Sequence, residues 1–460
     1  MKTRFAFCRL FALSGMMVLS TFGVAGAAEV QVQKHVIKLP ESTRVSYDGA
    51  FPKAFPKGFE LGIGSGLTFC GASADGGLLF LAISDRGPNA DAPAMDSEGK
   101  LPAKIFPAPD FTPQIGLLKL KDGVLSLEKV SGILNGEGKP ISGRPLPAGQ
   151  VGTTNETPLD DNLKVLPFDP EGLDTEGIDV DRKDGHYWIC DEYGPFIAKI
   201  DKDTGRILKK YAPGDGLPEV VKYRRPNRGM EGLAVSPSNK VFGIVQSPLD
   251  LGQGLDSSKA RFIRLVELDP DTGKTRMFAY PHNVETYKKT SDAKIGDLAA
   301  IDDSRFLLVE QGKNKDGAMT NLLYEINIEG ATDIQEVRTA AGQELETADE
   351  AELKELGVAM ISKRLVVDLK AIGWDVEKAE GIALIDAKTI ALCSDNDFGV
   401  DLKLLNPEEK DGKAVKKITD YNLKDGKLFL GEQETKTSFE LVPLNEEQQF
   451  WLLTLPEPLF

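Results

Sequence analysis

Carboxylates recur in this chain beside short apolar runs. Residues 171–195 read EGLDTEGIDVDRKDGHYWICDEYGP, with Glu176 opening one strand-like run and Asp191 and Glu192 closing the next. Between the runs, Lys183-Asp184-Gly185 is a turn signal. In an antiparallel hairpin the start of the first strand lies beside the end of the second, so these acids meet at one end. The same grammar puts Glu231 (in MEGLAV), Asp297 and Glu310 (GDLAAIDDSRFLLVEQ), Glu380 (AEGIAL) and Asp395 and Asp397 (SDNDFG) in equivalent places. A looser copy, ending in SDRGPN, contributes Asp85 and Arg86. Like charges held together raise one another's pKa or recruit a cation. Oxygen ligands drawn from several repeats suit Ca²⁺, which takes roughly 6–8 oxygens at about 2.3–2.6 Å in flexible geometry. The expected metal ligands are Glu176, Asp191, Glu231, Asp297, Glu310, Glu380, Asp395 and Asp397.

Cationic and amide side chains stand beside the same motifs. Arg86, Asn227, Arg228 and Lys313 are the expected substrate-binding residues, and Asp85, Arg86, Glu192 and Arg228 the expected catalytic ones. A metal with guanidinium groups nearby is a device for holding an anionic group such as phosphate. The competing reading is architectural. Asp and Asn at strand ends make turns with their own backbone, and Gly after Glu permits close strand packing. That reading serves any one acid, but it does not explain Glu in three copies or the adjacent arginines. Zinc is poorly supported, because the three histidines, His35, His186 and His282, are widely separated. A nucleophile elbow at Ser65 would need glycine two residues to either side, where Ile63 and Leu67 stand.

These residues need a repeat to position them. Leu67, Ile178, Leu233, Leu298 and Ile382 mark five copies of one pattern: acid or Gly, apolar strand, tight turn, apolar strand, polar cluster. Each copy is followed by more strand-like sequence, and four short strands per unit is the pattern of a β-propeller. The fold class is all-β. The interval from Leu67 to Ile178 is about twice the next, which leaves room for a divergent copy, so six blades are expected. VQVQKHVIKL near the N-terminus and FWLLTL near the C-terminus are expected to complete one blade and close the ring. Residues 141–170 read as a long loop, and QELETADEAELKELG (343–357) as a helical insertion between blades, within about 340–360, with a solvated acidic face.

Lys2, Arg4 and Arg9, an apolar stretch from Leu10 to Val24 and Ala25-Gly26-Ala27 have the form of a secretory signal peptide over 1–27. The remaining 28–460 read as one domain, secreted or periplasmic, with no further segment apolar enough to span a membrane. The formal charge of −16 argues against a nucleic-acid partner. Cys70, Cys190 and Cys393 sit in apolar runs and read as buried thiols.

FDPEGLDTEGIDVD, YWICDEYGPFIAKID, RRPNRGMEGLAVSP, SDRGPN and AEGIAL followed by SDNDFG together resemble the esterase-like activity of phytase family, over roughly residues 58–400. The resemblance implies an exported β-propeller with phosphoesterase or esterase activity and calcium. It places Asp85, Arg86, Glu176, Asp191, Glu192, Asn227, Arg228, Glu231, Glu380 and Asp397 on the family's motif positions. Three functions stay open: a calcium-dependent hydrolase of a small anionic ester, a sugar-lactone or carboxyl-ester hydrolase, and a non-catalytic binding propeller.

Overall fold

The computed structural model describes residues 29–460, apart from 97, 100, 253, 256, 259, 284 and 445. The signal-peptide segment lies outside the described residues. Among the described residues nearly all regular structure is β-strand, and the single α-helix spans Glu350–Glu355. No helix among the described residues is long and apolar enough to cross a membrane.

Five innermost strands surround one axis: Gly66–Ala72, Thr175–Val180, Met230–Val235, Lys294–Ala300 and Ile382–Leu384. Each packs on the next, and the fifth returns to the first. Each opens a four-stranded antiparallel unit, so the fold is a propeller-like ring of five blades. The sixth blade suggested by the long first interval is not found among the described residues. That interval holds instead a small sheet of Ala90–Asp91, Ala103–Ile105 and Thr157–Leu159, and loops across the face of the ring.

The ring closes as the terminal sequences predict. Gln31–Lys38 pairs antiparallel with Phe450–Thr454, which in turn pairs with Thr389–Cys393 of the fifth blade. The end of the same N-terminal strand then runs parallel to the outer strand of the first blade, Val36 facing Val124. One strand thereby ties two blades together.

Glycine explains how five blades fit around so narrow an axis. A Cβ on Gly66 would lie 2.2 Å from the Glu176 carbonyl oxygen, one on Gly177 2.5 Å from Leu233 N, and one on Gly232 2.7 Å from Leu298 N. Each glycine therefore admits the backbone of the following blade. The architectural reading of Gly in the Glu-Gly pairs holds. Gly232→Ala is expected to lower stability by roughly 1–3 kcal/mol, because the obstructing atoms are backbone and cannot swing aside. A denaturant midpoint unchanged from the wild type would contradict this.

Asp297 staples the same axis. Its carboxylate accepts from Leu67 N (3.1 Å), Leu233 N (3.3 Å), Ile382 N (3.2 Å) and Leu298 N (2.8 Å), linking four inner strands.

Two excursions differ from expectation. The helical insertion lies inside the fourth blade, between its strands Met319–Asn327 and Ser362–Asp368, not between blades. Its acids are not all solvated, for Glu346 is fully buried. A second, unanticipated insertion interrupts the fifth blade. It opens and closes with the paired strands Val400–Leu405 and Ser438–Pro443. Cys190 and Cys393 are buried, but Cys70 is exposed. A register shift between Phe69 and Gly71 interrupts the pairing at Cys70, and burial on strand Gly66–Ala72 fades toward that end.

Candidate active site

The starts of the inner strands and the ends of their partners open on one mouth of the ring, where a cleft of about 660 Å³ is lined by residues from all five blades. Asp85, Arg86, Glu176, Glu192, Asn227, Arg228, Glu231, Lys313, Glu380, Asp395 and Asp397 line it. The hairpin geometry holds as expected, with Asp191 paired opposite Thr175 beside Glu176.

Three expected ligands lie elsewhere. Asp297 is the axial staple described above. Asp191 turns to backbone, accepting from Asp174 N at 2.7 Å and Gly194 N at 2.6 Å. It positions Asp174 and does not line the cleft. Glu310 is buried against Tyr280 Oη and the Lys363 ammonium, the latter at 2.8 Å. Donors within the fold satisfy both oxygens of Asp297 and Asp191, and at Glu310 they satisfy Oε2, while Oε1 is buried with no hydrogen-bond partner.

The floor carries two trios of acids. In one, Asp174, Glu176 and Glu192 each offer an oxygen within 4.8 Å of the others; Asp85, Asp395 and Asp397 do the same in the other. The trios are electrostatically unlike. Lys378 Nζ lies 2.8 Å from both Asp395 and Asp397, so the second trio holds its own cation. That ammonium pulls Asp397 below the usual carboxylate range.

Among the described residues only Asp174 of the first trio has an ion-pair partner, Arg86 Nη1, at 3.3 Å from its Oδ2. Burial, followed by Glu231, Asp174 and Glu192, pushes Glu176 well above its ordinary value. Burial and Asp174 lift Glu192 to about 7. Burial, Glu192 and Glu380 raise Glu231, and burial lifts Glu380 to about 8 against the pull of Lys378. Asp174 Oδ2 and Glu231 Oε2 are buried with no hydrogen-bond partner. Crowded, dehydrated oxygens with unmet acceptor capacity are the donor set a hard divalent cation satisfies. The residues present therefore fit calcium at Asp174, Glu176 and Glu192, with Glu231 adjoining.

The cations on the walls divide in the same way. Arg86 is buried and engaged: it reaches Asp174, Glu156 at 3.7 Å and the Asn227 side-chain oxygen at 3.1 Å. Asn227 in turn donates to Glu156 at 2.8 Å. This network holds Asp174 in place and leaves Arg86 less available to a ligand than the sequence suggests. Arg228 lines the cleft with one bond to the Ser291 carbonyl. Lys294 was not anticipated, yet its charge is felt by Glu192, Glu231 and Glu380. Asp174 and Lys378 were missed too, although each stands two residues before a Glu of an anticipated Glu-Gly pair.

Fold and site define an all-β, propeller-like protein with an acidic mouth. Within that class the chain belongs to the phytase-like family, described as esterase-like activity of phytase, whose profile matches residues 62–398. An uncharacterized secreted protein of Arthroderma benhamiae is 26% identical over 180 residues, covering 31% of this chain and 35% of that relative. The chain thus spans about a third of the length of this curated relative. Among solved structures, the aldose sugar dehydrogenase of Streptomyces coelicolor is similar at 10% identity and a TM-score of 0.32, over 84% of this chain and 97% of that one. The periplasmic gluconolactonase of Pseudomonas aeruginosa is similar at 10% identity and a TM-score of 0.30, over 82% and 88%.

Proposed function

We propose that this protein is an exported, calcium-dependent hydrolase of a small anionic ester, a phosphate ester first. The observation that carries the reading is the trio Asp174, Glu176 and Glu192, in which only Asp174 has an ion-pair partner among the described residues, on the floor of a cleft whose walls present Arg228, Lys294 and Lys313. Calcium held by the trio would supply positive charge where the ester's oxygens gain negative charge. Arg228 and Lys313 bind and orient the anionic group. Arg86, through Asp174 and the Asn227–Glu156 pair, keeps the trio in register. Water attacks the ester centre and its oxygen forms the new bond as the bond to the alkoxy group breaks; a floor carboxylate takes the water's proton and passes it to the departing alkoxide, which leaves as the alcohol. We assign that transfer to Asp85 or Glu192, both of which line the cleft.

The family's description supports an esterase-type activity, and the fungal relative's name supports export, as does the signal-like segment at 1–27. The test is turnover by purified mature protein, with Ca²⁺ and with chelator, on a panel of phosphate monoesters, phosphodiesters and sugar lactones. Calcium-dependent release of phosphate or alcohol from the phosphoesters is the expected result. Activity confined to lactones would move the assignment to carboxyl-ester chemistry. Inertness on the whole panel, with Ca²⁺ bound, would leave a binding propeller.

A further inference from the structure

The insertion in the fifth blade brings cations to the cleft that the rest of the chain does not supply. Lys416 and Lys417 line the mouth and are exposed. Among the described residues neither forms an ion pair, whereas Lys104 and Lys378, on the same cleft, are paired with Asp91 and with Asp395 and Asp397.

The pair is held in place. Val415 and Ile418, on either side, are buried. Val415 joins Tyr421 and Leu428 in a small apolar cluster within the insertion. Two backbone bonds then clamp the insertion to the first blade's excursion, Ala94 N to the Tyr421 carbonyl (2.9 Å) and Leu423 N to the Ala94 carbonyl (2.7 Å). The insertion therefore bridges from the fifth blade to the first. In a ring of five, that junction faces the third blade across the axis, and Arg228 immediately precedes the third blade's inner strand. Cations without an ion-pair partner thus stand on opposite walls of an acidic floor, in a protein with 71 acids and 55 bases.

We propose that Lys416 and Lys417 form a second anion subsite, so that the cleft selects ligands carrying two separated anionic groups, one near Arg228 and the floor and one at the insertion. The inference rests on the anionic-ligand reading of the site but not on turnover. The family match ends at residue 398, before the insertion begins at Val400.

The experiment is calorimetric titration of the full mature protein in Ca²⁺ with two probes: glycerol 3-phosphate, which has one phosphate, and fructose 1,6-bisphosphate, which has two. The bisphosphate is expected to bind roughly tenfold tighter or better, the scale of one added charge-assisted contact. Lys416→Ala/Lys417→Ala, both exposed positions, should erase that advantage and leave glycerol 3-phosphate affinity and Ca²⁺ affinity unchanged. Equal affinity of the two probes in the wild type, or an advantage that survives in the double variant, overturns the subsite. A protein that prefers the bisphosphate through these lysines yet turns over no ester keeps the subsite and loses the hydrolase assignment.

Discussion

Glu176→Gln is expected to weaken Ca²⁺ binding by on the order of 100-fold or more, while Asp395→Asn changes it far less. Even partners one shell removed from a metal typically matter by about 10–100-fold, and Glu176 would be a direct ligand. The two substitutions are chemically alike: each removes one charge from a buried trio. They differ in what the protein already provides. Asp395 shares Lys378 with Asp397 at 2.8 Å, so its trio is locally compensated. Glu176 faces Asp174, Glu192 and Glu231, and among the described residues only Asp174 of these has an ion-pair partner.

A second readout separates a ligand from a structural acid. Without metal, removing one of several mutually repelling buried carboxylates relieves repulsion and desolvation. Glu176→Gln should therefore melt no lower than the wild type in chelator, and should lose the Ca²⁺-induced rise in melting temperature that binding to the native state produces. A variant that binds Ca²⁺ like the wild type would remove the metal from this trio. A variant that unfolds in chelator would show Glu176 to be structural instead.

Glu176, which lines the mouth, and Asp297, which staples the axis, mark what the sequence could disclose. The repeat was visible because strand, turn and strand recur, and because the Glu-Gly pairs join two separate demands. The acid faces the mouth, while the glycine lets the next blade's backbone pass within 2.5–3.0 Å of where a Cβ would sit. What the pattern could not disclose is which way a given carboxylate turns. Asp191 and Glu310 stand one residue before the cleft-lining Glu192 and Gln311, and Asp297 aligns with Gly177 rather than Glu176, so backbone amides, or a tyrosine and a lysine, claim them. Those donors come from chain segments whose arrival only the folded ring determines. Asp174 escaped notice for the converse reason: it precedes the strand, and the Asp191 turn carries it into the cleft.

Blade number failed through spacing. The long first interval holds short strands and loops over the ring face, and length alone cannot distinguish these from a divergent blade. The insertion at 400–443 does not repeat the Glu-Gly pattern, so the repeat did not point to it as a border of the mouth.

Glu346→Ala is expected to destabilise the protein by about 3–5 kcal/mol, the usual penalty for stranding one member of a buried ion pair. Arg264, on the third blade, is fully buried, and its Nε and Nη2 each reach Glu346 at 2.7 Å. Glu346 comes from the insertion in the fourth blade and is equally buried. The bidentate pair therefore joins two blades through a segment whose charge run reads as mere solvated surface. Glu344 also touches Arg264, at 3.1 Å, but it is partly exposed and shared with Arg338, so it compensates only in part. The desolvation penalty belongs to the charges themselves, so removing both should cost far less than removing one. Arg264→Met/Glu346→Leu is expected to recover most of the loss, as apolar replacements of buried pairs commonly do. Urea midpoints of the two single variants and the double variant measure the coupling directly. Neither residue lines the cleft, so Ca²⁺ affinity should be unchanged in every variant that folds. A Glu346→Ala protein within about 1 kcal/mol of the wild type would mean that the pair behaves as an exposed one, and that the insertion is not anchored through it.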